Sequence, residues 1–542
     1  MLVPKVALLG ENLILNHQAK GQLNSLMNTE VLSQPQTSSS HKDIVLENLI
    51  PQIAKGAGIT FLGDFLGKGV NFLSQIVIAR LLGTEIFGLY ALGLVIFNVA
   101  QTLSVMGLSQ GALRYVSIYH GEAKTSYVKG TIIHSLGLPF LVGSIIGVIL
   151  FFGSDVLARA FGQPELNHII KVIALGIPFM AAMMVSIAVT RGFKKMQYFV
   201  FVKSLFHPIL NLALVFLFYW LGFRLLGAIS AWVLAAALGL LLSLYFIKKE
   251  FPKFFQVEAA FNTKELVKFS APLMMVGFLQ MMFMKTDILM LGYFRSSAEV
   301  GIYNAVSQIM IPLAMVLMAF NSIFSPFVAD YYNQRLMREL NNLLKIVAKW
   351  ILLLTMPIFI IIILSPKEIL NFFGPEFTSG WQALLILAIF YFLSVSFGPV
   401  TETLIMTGNQ YIEFANITGS LVLNIILNFL LIPNFGIEGA ALATGISVFS
   451  LHIARFVEVK YLLKVSPLST KYLKGLIPGI SISGMVFFLK ALVTNSNYMG
   501  SLILTSVLVC GLYIGIIFLL QLDSEDKLIL NIAKKRMAAI WA

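Results

Sequence analysis

The chain is poor in charge, in cysteine and in catalytic motifs, and each shortage excludes a class of protein. Charged residues make up 12% of its 542 residues, against about 25% in an ordinary soluble domain. A soluble protein of this length would need a larger charged surface to cover its core. The single cysteine, Cys510, lies in an apolar run, which excludes an internal disulfide framework and a cysteine metal site.

Motifs that would bind a nucleotide, a metal or a cofactor are also missing from the sequence. It contains no Walker loop, no HExxH and no CxxC, and its seven histidines are dispersed without metal-ligand spacing. We therefore expect no cofactor and no enzymatic activity. Any work that the protein does should draw on an ion gradient, the membrane potential or a substrate gradient.

Long apolar runs are what the sequence has instead. Hydrophobic residues make up 58% of the chain, and runs of about 20 residues, enough to cross about 30 Å of hydrocarbon, follow one another from residue 57 onward. The prediction is an all-α integral membrane protein, because barrel strands would alternate over only about 9–11 residues. The fourteen predicted spans are 58–82, 87–108, 130–152, 167–189, 198–220, 226–247, 268–292, 300–322, 343–364, 381–405, 411–432, 437–459, 473–493 and 500–521.

Lysine and arginine predict the orientation of these spans. With the N-terminus in the cytoplasm, and with positive residues near the end of a span counted with the adjoining side, 29 fall on the inner side and 6 on the outer side, and the remaining 3 are Lys68, Lys171 and Lys285 within spans. Basic residues favour cytoplasmic loops, so both termini are expected inside the cell membrane. The net charge of +13 then reflects topology and attraction to anionic inner-leaflet lipid. A nucleic-acid partner is not required.

Two halves of the chain repeat each other, with offsets of 212 or 213 residues over roughly 140 residues. Duplicated hydrophobic halves are a recurrent plan of membrane transporters. The matching pairs are Gly88 and Tyr90 with Gly301 and Tyr303, Phe161-Gly162 with Phe373-Gly374, Asn211 with Asn424, and Gly227-Ala228 with Gly439-Ala440.

Span parity sets the geometry of the repeat. Each half contains six predicted spans, so both halves enter the membrane from the same side and form parallel lobes. We expect a cytoplasmic tail at 1–55, a first six-helix lobe at 56–250 and a second at 265–462. Two additional transmembrane helices at 470–522 and a cytoplasmic tail at 523–542 complete the predicted domains.

Polar groups inside the membrane are costly and mark candidate sites. In the first span Asp64, Lys68, Asn71 and Gln75 follow at i, i+4, i+7 and i+11, on one helical stripe. Lys68 lies about 15 Å into the span. The stripe favours a polar cavity that binds substrate. The alternative is that Asp64 and Lys68 neutralise each other at a helix contact.

Further candidates lie in other spans. Additional substrate-cavity candidates are Gln101, Gln280, Lys285, Asn304 and Gln308. The ion-coupling candidates are Asp64, Asp287 and Glu402. Single amides in membrane helices often bond to neighbouring helices, and Glu402 also suits a place at the membrane interface, so structural roles stay open for these residues.

Three segments carry a family resemblance over about residues 50–520. They are IARLLGTEIFGLYALG (78–93), TDILMLGYFRSSAEVGIYNAVSQI (286–309) and LNIILNFLLIPNFGIEGAALATGIS (423–447). Each resembles the Wzx-like polysaccharide biosynthesis flippases of the MATE-like superfamily of multidrug, oligosaccharide and polysaccharide exporters. The resemblance implies movement of a polyprenyl-diphosphate-linked oligosaccharide through a cavity between two six-helix lobes, with a glycan polymerase or glycosyltransferases as possible partners.

The leading hypothesis is therefore a flippase for a lipid-linked oligosaccharide. Lys68 would attract the diphosphate, Asn71 and Gln75 would bind sugar hydroxyls, and Asp287 or Asp64 would couple an ion. One alternative is a cation-coupled multidrug exporter, and another is a non-transporting scaffold for glycan assembly enzymes. A flippase for the peptidoglycan precursor is also open, although such relatives depend on several cavity arginines where this chain has Lys68 and Lys285.

Overall fold

The computed structural model describes the backbone of residues 38–468, 479, 481–488 and 498–519. Contacts divide the chain into two units, 1–58 and 59–542. In the first unit residues 38–58 are helical. The second unit contains every side chain discussed below. Predicted span 13, residues 1–37 of the predicted tail at 1–55 and the predicted tail at 523–542 lie wholly or largely outside the described residues.

The first half of the chain consists of helices that run back and forth through the molecule. The first of them bends at Gly83, where the backbone leaves helical angles with φ 75° and ψ 174°. Glycine suits such an angle because it lacks a Cβ. The helices are α1 Ser38–Val105, α2 Leu108–Gly121, α3 Thr125–Ala160, α4 Leu166–Gly192, α5 Met196–Trp220 and α6 Arg224–Glu250.

The second half repeats this plan. Its last long helix bends at Gly436, with φ 53°. The helices are α7 Thr263–Phe294, α8 Ser297–Asn333, α9 Met337–Leu364, α10 Pro366–Leu370, α11 Trp381–Val395, α12 Val400–Met406 and α13 Gln410–Leu462, and beyond them lies α14 Tyr498–Leu519. No strand occurs in the described part of the chain.

Eleven helices of the described chain are long and apolar enough to cross a membrane. The predicted all-α membrane fold is confirmed. Two of the eleven each contain two predicted spans: 62–121 holds spans 1 and 2 on either side of Gly83, and 410–462 holds spans 11 and 12 on either side of Gly436. At each of these two glycines the backbone leaves helical angles and joins two separate helices, so the predicted breaks between spans 1 and 2 and between spans 11 and 12 lie at Gly83 and Gly436.

The two ends of the bundle differ in charge. One end, here the basic end, carries the loops with Lys124, Lys194, Lys195, Lys248 and Lys249. The other, here the bend end, carries the positive-φ glycines Gly83, Gly222 and Gly436. The side of the membrane that each end faces stays a prediction.

At the bend end the two halves touch through the duplicated glycines. A Cβ on Gly88 would lie 1.7 Å from the carbonyl oxygen of Ser297, and one on Gly301 would lie 2.1 Å from that of Thr84. Both contacts are backbone on backbone, so only glycine allows the approach. We call these four residues the glycine seal.

A loop of the second half covers the seal. Arg80 donates from Nε to the carbonyl oxygen of Phe372 at 2.7 Å and from Nη2 to that of Asn371 at 3.1 Å. The Glu376 carboxylate accepts from the Thr84 hydroxyl at 3.3 Å. Phe377 packs edge-on against Phe87 with ring centroids 5.8 Å apart. The bend end is therefore closed by both halves together.

Candidate functional site

A close helix contact builds the first candidate site. Gly63 and Gly67 of α1 lie against α5, where a Cβ would fall 1.8 Å from the Val200 side chain and 2.6 Å from the Cβ and carbonyl oxygen of Ser204. On the α5 side the chain forms a π-helical turn over Phe201–Phe206. Single π turns inside helices often occur at functional sites. Here the turn holds Lys203 and Ser204 beside α1.

Three cations gather around one carboxylate at this contact. Asp64 accepts a hydrogen bond from the Ser204 hydroxyl at 3.0 Å and interacts electrostatically with Lys68 and Arg191. Lys203 lies near enough to Lys68 to repel it. Lys68, Arg191 and Lys203 around Asp64 are the basic cluster. Asp64 balances only one of the three positive charges, so the cluster keeps a net positive charge that favours an anionic ligand.

The basic cluster faces the second half of the chain. The Lys68 ammonium lies 3.1 Å from the Met318 sulfur of α8, and Met318 and Lys203 are exposed in the structure. Ser204 lies eight residues into α5, which at the helical rise is roughly 12 Å from the basic end. The cluster is thus within the membrane span and accessible between the halves.

The predicted polar stripe of α1 divides between two environments. Asn71 is exposed and donates to the carbonyl oxygen of Gly67 in its own helix at 2.9 Å. Gln75 is half-buried and faces the Tyr90 hydroxyl inside the first half. The structure therefore brings Asp64 and Lys68 together with Arg191 and Lys203, while Gln75 lies in a separate cluster.

A buried carboxylate forms the second candidate site. Asp287 of α7 is 5% exposed. Its Oδ2 accepts from the Tyr303 hydroxyl at 2.7 Å and from the Thr444 hydroxyl at 3.3 Å, and its Oδ1 accepts from the Ile288 amide at 2.8 Å. Three donors from three helices hold this carboxylate, seven residues or roughly 10 Å from the bend end.

Two buried asparagines extend this site. Asn424 donates to the Thr444 hydroxyl at 3.4 Å, and Asn428 donates to the Asn424 side-chain oxygen at 2.9 Å. The Asn428 side-chain oxygen is itself buried without a protein partner. Asp287, Tyr303, Asn424, Asn428 and Thr444 are the carboxylate cluster. Hard oxygen atoms of this kind bind small cations.

The remaining predicted residues lie apart from the two clusters or at their edges. Lys285 is half-buried and interacts electrostatically with Asp287. Asn304, the residue after Tyr303 in α8, is buried, and Gln101 of α1 is also buried. Gln280 is exposed and Gln308 half-buried. Glu402 accepts from the Ser325 hydroxyl of α8 at 3.1 Å, which places it in a third location.

Several residues of the clusters were not predicted from the sequence. Tyr303 and Asn424 already stood out as matches of the repeat, so the duplication carried that signal. Lys203 and Arg191 were counted with the inner loops, because the sequence gives no sign of the π turn. Within the residues that the structure describes, no group of three or more His, Cys, Asp or Glu side chains could hold a metal ion.

Comparison with family models identifies the fold from the sequence. The model described as polysaccharide biosynthesis protein matches residues 53–331, just over half of the chain, and the MatE model matches residues 272–430. The match spans the first half and the start of the second. It includes the basic cluster and Asp287.

Similar proteins are found among archaea and among solved structures. An uncharacterized membrane protein of Methanocaldococcus jannaschii, MJ1068, is 24% identical over 86% of this chain and 94% of its own length. The probable low-salt glycan biosynthesis flippase Agl15 of Haloferax volcanii is 30% identical over 32% of this chain and 39% of its own. The inward closed structure of the lipid II flippase MurJ shares the fold, with a TM-score of 0.67 at 15% identity over 84% of this chain and 97% of that one.

Proposed function

The chain belongs to the polysaccharide biosynthesis protein family, and on that premise we propose that it is a flippase. It moves a polyprenyl-diphosphate-linked oligosaccharide across the cell membrane for surface polysaccharide biosynthesis, by alternating access. The similarity to a probable glycan biosynthesis flippase over a third of the chain supports this proposal. It performs transport and no covalent chemistry.

The basic cluster is the observation that carries the proposal. A diphosphate is the charged part of such a substrate. Lys68 contacts Met318 of the second half, and Arg191 and Lys203 belong to the same cluster. In a site partly removed from water, attraction between ammonium groups and phosphate is stronger than in solvent. The diphosphate binds at this cluster, and the lipid tail stays in the membrane.

The carboxylate cluster supplies the coupling to an ion. Asp287 is held by hydroxyl donors of α8 and α13, so a proton or Na⁺ that binds there changes the contacts between three helices. The second predicted carboxylate, Asp64, is engaged by Ser204 and the basic cluster, and Glu402 bonds to Ser325. We therefore assign ion coupling to Asp287.

Orientation, location and organisation complete the proposal. The basic end faces the cytoplasm of the cell membrane, both termini lie inside, and the bend end faces out. The two lobes are 56–250 and 265–462, with tails at 1–55 and 523–542 and two further helices at 470–522. A glycan polymerase or glycosyltransferases would supply or use the substrate on either side.

A transport assay with matched lysine variants tests the headgroup role. The measurement is the amount of lipid-linked glycan in the outer leaflet of cells that express Lys68→Ala, Lys203→Ala or the double variant at equal levels. Loss of one charge–phosphate contact should reduce transport about tenfold, since hydrogen bonds to charged groups contribute about 1.5–3 kcal/mol. Lys171→Ala is the control, because Lys171 lies over the Phe151 ring of α3. Wild-type export by the double variant would contradict the assignment.

A cation-coupled multidrug exporter is the second candidate, favoured by the MatE match over 272–430 and by the buried Asp287 within it. It predicts drug resistance on overexpression without any change in surface polysaccharide. A flippase for the peptidoglycan precursor predicts rescue of a cell that lacks that activity. Our proposal predicts instead that deletion of this protein makes a lipid-linked glycan other than the peptidoglycan precursor accumulate on the inner leaflet. This outcome separates it from both alternatives.

A further inference from the structure

Four polar side chains of the first half each have a buried atom without a protein hydrogen-bond partner. They are the Tyr90 hydroxyl, His207 Nε2, the Asn211 side-chain oxygen and Trp232 Nε1. Tyr90, His207 and Asn211 are each less than 5% exposed. Buried polar atoms are nearly always hydrogen-bonded, and leaving several unsatisfied in one place would cost the fold heavily.

These four side chains form one contiguous group. His207 and Asn211 are four residues apart in α5, on the same helical face. The His207 ring packs edge-on against Trp232 of α6 with centroids 4.8 Å apart. The Tyr90 hydroxyl of α1 faces Asn211 and Gln75, although neither is placed for an ordinary hydrogen bond. We call the four the first-half polar pocket.

The duplication relates this pocket to the carboxylate cluster. Tyr90 and Asn211 correspond to Tyr303 and Asn424 at an offset of 213. The position equivalent to Asp287 is Ser74, whose buried hydroxyl donates to the Val70 carbonyl oxygen of its own helix at 2.8 Å. The first half thus retains the tyrosine and the asparagine but has no carboxylate at this place.

The chemistry of the four atoms selects the ligand. Trp232 Nε1–H can only donate, the Asn211 oxygen can only accept, and the Tyr90 hydroxyl and His207 Nε2 can do either. A cation would face an N–H donor with no carboxylate to balance its charge. Water donates and accepts at once, and a buried water typically needs two to four polar partners.

We propose that the first-half polar pocket is a bound-water site, occupying the place where the second half holds the coupling carboxylate. Water hydrogen-bonds to Tyr90, His207, Asn211 and Trp232 and joins α1, α5 and α6. The pocket is uncharged, so it takes no cation during the cycle. This inference stands independently of the transported substrate.

Hydroxyl-radical labelling by synchrotron radiolysis tests the pocket in the full-length protein in nanodiscs. Radicals generated from a bound water label adjacent side chains even where bulk solvent has no access. Tyr90 and His207 should label several-fold faster than Phe87 and Phe97, which are fully buried in the same half. Labelling at the rate of these phenylalanines would overturn the proposal, because the pocket would then be dry.

Two variants and a change of salt sharpen this test. Asn211→Leu fills the pocket and should abolish the excess labelling of Tyr90. If Asn211→Leu fails to fold, Trp232→Phe, which keeps a ring but removes the N–H donor, should lower the labelling of Tyr90. Excess labelling that persists in both variants would contradict the assignment. Replacing choline chloride with NaCl or KCl should leave the pattern unchanged. Saturable protection by either cation that survives Asp287→Asn would make the pocket a cation site and overturn the proposal.

Discussion

The backbone of Gly67 lies directly against Ser204, with room for no side chain between α1 and the π turn of α5. A Cβ at position 67 would come 2.6 Å from both the Cβ and the carbonyl oxygen of Ser204. Gly67→Ala therefore forces the two helices apart and moves Lys203 away from Lys68. Transport of the lipid-linked glycan should fall, although no charged group has been changed, and overpacking should destabilise the protein by about 1–3 kcal/mol.

Gly69→Ala is the matched control for that variant. Position 69 lies in the same helix, yet a Cβ there has nothing within 4 Å. Alanine is the better helix former by about 1 kcal/mol, so Gly69→Ala should transport normally and melt at the same temperature or higher. Equal transport by both variants would show that the close approach of α1 to α5 is unimportant.

Tyr303→Phe removes one donor to Asp287 and leaves the ring in place. The Tyr303 hydroxyl donates to this buried carboxylate at 2.7 Å, and hydrogen bonds to charged groups contribute about 1.5–3 kcal/mol. The ion concentration needed for half-maximal transport should therefore shift by about one order of magnitude, whereas Asp287→Asn should remove the ion dependence altogether. Tyr411→Phe is the control, because Tyr411 is 82% exposed. Unchanged ion dependence in Asp287→Asn would exclude this carboxylate from coupling.

A buried ion pair near the basic end should contribute strongly to stability. Arg455 donates from Nε to Glu413 at 2.9 Å, joining the two arms of α13, and both side chains are 8% exposed. Glu413→Gln leaves the guanidinium buried without its counter-charge and should cost about 3–5 kcal/mol. In chemical denaturation, Glu413→Met with Arg455→Met should be more stable than Glu413→Gln alone. The exposed pair Asp155–Arg159 provides the comparison, and Asp155→Asn should change stability by less than about 1 kcal/mol.

Gly88→Val should open the bend end. Since the added side chain would overlap the Ser297 carbonyl oxygen, α1 and α8 can no longer cross at the glycine seal. In a Cys510→Ser background, which has no other cysteine, Ser297→Cys should then react faster with a membrane-impermeant maleimide. Gly137→Ala, in open space, should leave the rate unchanged. Slow labelling in Gly88→Val would show that the seal tolerates a side chain.

The membrane fold could be predicted from the sequence because each feature that indicates it is averaged over many residues. These features are apolar run length, the distribution of Lys and Arg and the constant repeat offset. Most predicted spans coincide with helices in the described residues, but span 10, predicted as 381–405, is interrupted between the helices Trp381–Val395 and Val400–Met406. The breaks predicted between spans 1 and 2 and between spans 11 and 12 coincide with Gly83 and Gly436, where the backbone leaves helical angles. Glycine adopts such angles because it lacks a Cβ.

The sites were harder to predict because they depend on which helix faces which. Helical spacing placed Gln75 on the same stripe as Lys68, but Gln75 lies beside Tyr90 of the first half, while Lys68 contacts Met318 of the second half. Lys203 lies near the end of a basic loop in sequence, and only the π turn brings it into the basic cluster. Asp287 was found from its charge, while its partner Thr444 lies 157 residues away and shows no pattern of its own.

The glycine seal obeys a symmetry that the covalent chain does not require. Gly88 meets Ser297 as Gly301 meets Thr84, and each pair maps onto the other by a shift of 213 residues. Such reciprocity defines an isologous contact, the kind that two identical subunits make across a twofold axis. The internal interface of this single polypeptide therefore has the form of a homodimer interface. The connection between α6 and α7 links the two repeated halves covalently. A substitution at the glycine seal must therefore fit the backbone of both halves if the bend end is to stay closed.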